Sequence, residues 1–150
     1  MCDFKVLTVD RADCSWRNMF EGEDWFILGQ DENSFSISEF SLQDIKFETG
    51  VESGERLITL EEKLGRLKRK EKYVFLDIQV LYALLNSQDI IPDDWRRHKT
   101  ILFGGTVISV FLKYIKICGM YWDGEEWGLC HSGIKSDMHS DNPFALLELN

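Results

Sequence analysis

The chain has 150 residues, 44% of them apolar and 13% aromatic, with eleven glycines and only two prolines. That composition excludes a disordered, collagenous or low-complexity protein, because it carries enough apolar surface to offset the entropy of ordering. A net charge of −9 argues against general nucleic-acid binding, which needs a basic footprint along the phosphate backbone.

The charge is unevenly spread. Residues 1–55 carry thirteen acidic against four basic side chains, residues 56–99 seven against ten, and residues 100–150 six against three. At this length one domain over 1–150 is expected, with an acidic β-rich part (1–55), a helical and locally basic part (56–99) and a β-hairpin part (100–150). Met1-Cys2-Asp3-Phe4-Lys5 has no basic region followed by an apolar one, so no secretory signal is expected. The uncharged stretch from Thr100 to Leu112 is too short to cross a bilayer. A cytoplasmic protein with no membrane partner and reduced thiols at Cys2, Cys14, Cys118 and Cys130 is the expectation.

The first third reads as short strands: Phe4 to Val9, Trp25 to Leu28, the alternating Phe35 to Ser38, and Ile45 to Val51, closed by a turn at Glu52-Ser53-Gly54-Glu55. The middle reads as two helices, about 60–71 and 77–87. Thr59 with Glu62 makes a capping-box signature for the first, and Asp77 is the expected N-cap of the second. Leu60, Leu64, Leu67, Glu71, Val74, Ile78, Leu81 and Leu85 recur at helical spacing, but Tyr73-Val74-Phe75 favours β structure and breaks the rod. The second helix is apolar nearly all round and is expected to be buried. Asp93-Asp94-Trp95 reads as a turn with an anchoring tryptophan, and Thr100 to Val110 as a strand bent at Gly104-Gly105. Asp123-Gly124 between Tyr114–Trp122 and 127–131 signals a hairpin with Trp122 facing Trp127. Asn142-Pro143 reads as the start of a helical turn through Phe144, Leu146 and Leu147. The fold class is therefore α+β: a mainly antiparallel sheet on one or two helices, with a C-terminal hairpin.

The run Lys63 to Lys72 would put Lys63, Arg66 and Lys70 on an outer helical stripe, best matched by the chain's own acidic third. Cys118, Cys130, His131 and His139 lack the paired spacing of a zinc site, and adjacent Cys130 and His131 on a strand point to opposite faces. Asp137, His139 and Asp141 alternate in a polar loop without a calcium-loop pattern. No metal and no cofactor are expected. A nucleophile needs a base within hydrogen-bond reach; Cys118 with His131, oriented by Asp137, is the alternative that would make a small cysteine- or metal-dependent hydrolase. The primary expectation is a non-enzymatic acidic module, an inhibitor or antagonist, docking on a basic surface of a partner protein. One form would be mimicry of nucleic acid, with carboxylates occupying an Arg/Lys groove. Glu21, Glu23, Asp24, Glu125, Glu126 and Trp127 are its expected contact residues, with Trp122 assigned to the core.

Overall fold

A computed structural model describes residues 5–149 apart from 21, 23, 136 and 140, and the backbone alone at 137–139. In chain order it has β1 (Val6–Thr8), β2 (Trp25–Gln30), α1 (Glu32–Phe35), β3 (Glu39–Ser41), β4 (Lys46–Glu48), β5 (Leu57–Thr59), α2 (Leu60–Arg69), β6 (Tyr73–Phe75) and α3 (Ile78–Leu85). These are followed by β7 (Thr100–Val110), β8 (Tyr114–Trp122), β9 (Trp127–Gly133), β10 (Asp137–His139) and β11 (Phe144–Glu148). Short 3-10 turns occupy Ser15–Phe20, Gln88–Ile90 and Asp93–His98. The α+β class and the mainly antiparallel sheet follow directly.

The main sheet runs β4-β11-β7-β8-β9, with β6 also beside β11 and β2 along the distal half of β7. Every pairing is antiparallel except β11 with β7. Alternation of side chains sends the two faces into different cores. Ile101, Phe103, Ile108, Met120 and Ala145 pack with α3 residues Ile78, Val80, Leu81 and Leu84 on one face. Leu102, Ile117, Phe144 and Leu146 pack with Leu60, Leu64 and Leu67 of α2 on the other. The sheet is thus held between its two longer helices.

Local chemistry explains most boundaries. The Thr59 hydroxyl accepts from the Glu62 N–H to start α2, and the Asp77 carboxylate accepts from the Gln79 and Val80 N–H groups to start α3. Asp77 is buried and also receives Arg11 at 2.7 Å, so one carboxylate caps a helix and clasps the N-terminal segment. The register of β7 on β8 shifts between Phe103 and Val107, at the Gly104-Gly105 bend. Gly105 is required there: a Cβ would stand 2.1 Å from the Phe75 carbonyl oxygen.

Two elements differ from expectation. Phe35 to Ser38 is no strand: Asp31 accepts from the Asn33 and Ser34 N–H groups and caps the helical turn α1 in front of it. Four alternating residues carry too little periodicity to outweigh that cap. The segment after Pro143 is no helix. It is β11, whose Phe144, Ala145 and Leu146 are fully buried between β7 and the β4/β6 pair. A short apolar run covered on both faces suits a central strand, and sheet pairing overrides the local preference of proline for a first helical turn.

Candidate functional site

The end of the sheet formed by the β8–β9 turn combines charge with rigidity. Asp123 folds back so that its carboxylate accepts from the Glu125 and Glu126 N–H groups at 2.7 and 2.8 Å. Those donors favour the ionised acid and hold its pKa below the ordinary value. With the turn fixed in this way, Glu125 and Glu126 stand exposed at its tip. Among the described residues neither takes part in an ion pair.

Behind the tip, Trp122 and Trp127 face each other in register, ring centroids 5.6 Å apart and steeply inclined. Their roles are the reverse of the sequence expectation: Trp127 is 4% exposed and belongs to the core, whereas Trp122 is only half-buried. The cause is a contact distant in sequence. The Gln88 side-chain amide accepts from the Trp127 N–H and donates to its carbonyl, both at 2.8 Å. It thereby pairs the free edge of β9 as another strand would and ties the Gln88–Ile90 turn to that edge. Trp122 instead carries the Arg96 guanidinium on its face at 4.1 Å, an arrangement worth about 0.5–1 kcal/mol where solvent reaches it. Arg96 is tied to Asp93 at 3.1 Å.

Three turns therefore meet at this end. They bring Asp89, Asp93, Asp94, Asp123, Glu125 and Glu126 together with Arg96, Arg97 and Lys99, six carboxylates against three cations. Gln88 and Arg96, which organise the meeting, carried no local sequence signal, because their partners lie far along the chain.

The other expected residues are elsewhere. Asp24 is exposed at the start of β2, where its carbonyl accepts from the Phe111 N–H at 2.6 Å. Since Phe111 sits in the β7–β8 turn, Asp24 and the Glu125/Glu126 tip occupy opposite ends of β8. Nine residues of strand separate them, about 26 Å at the usual rise. Asp24 and the Glu125/Glu126 tip are thus two sites and not one face. Glu21 and Glu23 lie outside the described residues.

Cys118 and His131 are direct cross-strand partners, but Cys118 is 2% exposed within the core. The exposed His131 has Nδ1 3.1 Å from Lys116 Nζ. The Asp137 backbone pairs with Thr59 in β10; its side chain, like that of His139, lies outside the described residues. Cys130 is opposite Gly119, and burial pushes its thiol up to about 11, away from thiolate chemistry. Among the described residues no three His, Cys, Asp or Glu side chains come close enough to hold a metal.

The basic run on α2 is answered within the fold in part, and Lys68, Lys70 and Lys72 stay exposed. Arg66 holds Glu55 and Glu62. Lys63 is not on the outer stripe: it is fully buried, with its ammonium donating to the Asn142 carbonyl at 2.6 Å. No helix among the described residues is long and apolar enough to cross a membrane. The chain matches no protein-family model, no curated protein and no solved structure.

Proposed function

We propose that the chain is a non-enzymatic binding module, an inhibitor or antagonist, whose acidic hairpin end docks on a basic surface of a partner protein. The observation that supports it best is the Asp123–Glu126 turn. Its backbone is locked by the Asp123 carboxylate, so Glu125 and Glu126 are presented with little backbone entropy left to lose on binding. Across the adjoining turns Asp89, Asp93 and Asp94 are balanced by Arg96, Arg97 and Lys99, so the net negative field comes from Asp123, Glu125 and Glu126; it would steer a cationic partner and raise the association rate. Carboxylates carried on a fixed backbone are also what mimicry of a phosphate backbone requires.

A hydrolase at Cys118 and His131 draws less support, because a nucleophile must reach its substrate and Cys118 is packed in the core. The test is retention of proteins from a native extract on the immobilised chain at low salt, with identification by mass spectrometry. A basic protein held by the wild type and released by Glu125→Lys/Glu126→Lys, at unchanged melting temperature, is the expected result. Equal retention by the double variant contradicts the proposal.

A further inference from the structure

The opposite end of the sheet has a different chemistry. Lys113, Lys116 and Lys135 are the only cations in residues 100–150, and all three line one open groove of about 490 Å³ floored by Tyr114, Ile115 and Ile134. Beside it the β7–β8 turn projects Phe111 and Leu112, 56% and 78% exposed. Both hold positive φ, 53–61° being the range of all such non-glycine residues among those described. The Lys113 N–H closes the turn on the Val110 carbonyl at 3.2 Å. A two-residue loop with two left-handed positions is where Asn-Gly would rest without strain. Here the chain keeps two bulky apolar residues that it leaves largely in water. The row Phe26, Ser109, Ile115 runs across the sheet from the same end, with Phe26 and Ile115 exposed.

We propose that this end is an interfacial docking surface for a lipid bilayer bearing anionic headgroups. Phe111 and Leu112 enter the boundary between headgroups and acyl chains. Tyr114 lies at the water interface, and Lys113 and Lys116 meet the headgroup charge, their ammonium groups 5.3 and 5.7 Å from the Tyr114 ring. An apolar tip rimmed by aromatic and lysine side chains is the composition that lies in a membrane surface. No spanning segment is needed for this, so the short length of the 100–112 stretch does not bear on it.

The local charge is not purely cationic. Lys135 is paired with Glu61 at 2.6 Å, and Asp24 stands next to the turn, which leaves Lys113 and Lys116 as the cations available to headgroups. The acidic Glu125/Glu126 end lies on the far side of β8. The resulting charge asymmetry turns the cationic tip towards an anionic surface and keeps the acidic end away from it. A convex tip is also poorly shaped to receive a small molecule, for which sites are concave.

The test uses the full chain in flotation with vesicles of phosphatidylcholine alone and of phosphatidylcholine with phosphatidylserine. Partition into the mixed vesicles, at least about tenfold stronger than into neutral ones and weakened by salt, is expected from headgroup attraction. Phe111→Asn/Leu112→Gly removes the apolar tip and relaxes the turn. It should lose at least about tenfold in partition while its melting temperature holds or rises. Lys113→Glu/Lys116→Glu should lose the preference for the anionic vesicles.

The proposal is overturned by no partition of the wild type, by equal partition of the tip variant, or by a lowered melting temperature of the tip variant, which would make Phe111 and Leu112 packing residues. A lipid-free oligomer abolished by the tip variant would also overturn it, making the tip an interface between copies. None of these measurements involves the acidic end or its partner.

Discussion

Trp127 and Trp122 sit opposite each other on adjacent strands, yet their environments differ because Gln88 reaches only one of them. Trp127→Ala should cost about 3–5 kcal/mol, as large-to-small changes in a core do, although the backbone groups that Gln88 holds remain in place. Trp122→Ala should cost about 1–2 kcal/mol, since the half-buried ring loses mainly its contact with Arg96. Chemical denaturation of the two variants checks the order; a larger loss for Trp122 would mean the two environments are exchanged in solution.

Lys63 offers a second test at this scale. Burial pulls its pKa from 10.5 down to about 8, because the charged form is poorly solvated among Leu60, Leu64 and Phe144. Below about pH 8 both folded and unfolded chains hold the proton, and the folded state bears the full cost of the buried charge. As pH rises further the folded chain releases its proton first, so the unfolded state binds more protons and stability increases. The gain is about 1 kcal/mol per pH unit, up to about 3 kcal/mol by pH 10.5. Cys130 acts in the opposite sense above pH 9, because its thiol stays protonated longer in the folded chain. The window between pH 8 and 9 therefore isolates Lys63. Denaturation midpoints of the wild type should rise across it and those of Lys63→Met should stay flat; a flat wild-type profile would place the ammonium in a better-solvated site.

At the scale of elements, the caps predict their own energetics. Thr59→Ala should cost about 1 kcal/mol, the worth of one N-cap hydrogen bond. Asp77→Ala should cost several times more, about 3–5 kcal/mol, because it also removes the carboxylate paired with the part-buried Arg11. Equal losses in urea unfolding would show that the Arg11–Asp77 clasp adds nothing to the cap.

These caps, the Asp123-Gly124 hairpin and the Gly104-Gly105 bend were legible in the sequence because each depends on neighbours within a few residues. The helix ends, the Trp122–Trp127 register and the burial of α3 followed from them. What was not legible depends on distant partners. The strand β11 needs β7, β4 and β6 to exist before its run of apolar residues means strand and not helix. Tyr73-Val74-Phe75 interrupts the helical spacing, but that it pairs with β11 was not readable. The candidate site was legible only in pieces: Glu125 and Glu126 were identified as exposed acids at a turn. Their separation from Asp24 follows from the pairing of β2 with β7, and the burial of Trp127 follows from Gln88.

The whole molecule is an acidic sheet protein with chemically different ends. One end of β8 holds Phe111, Leu112 and two lysines free of acidic partners among the described residues; the other holds six carboxylates and three cations on three linked turns. Between them, Arg66 of α2 is engaged by Glu55 and Glu62. The net charge of −9 is therefore expressed at particular places and not as a uniform coat. If the acidic end is the docking surface, its attraction acts through exposed charges and is screened beyond about 10 Å at 0.1 M salt.

The most direct measurement is the association rate of the retained basic partner with the wild type and with Glu125→Lys/Glu126→Lys, followed as salt is raised. The wild-type rate should fall steeply with ionic strength, while the double variant should associate slowly at low salt and respond little to more of it. Superimposable salt profiles for the two proteins would contradict the assignment of the Asp123–Glu126 turn as the docking site.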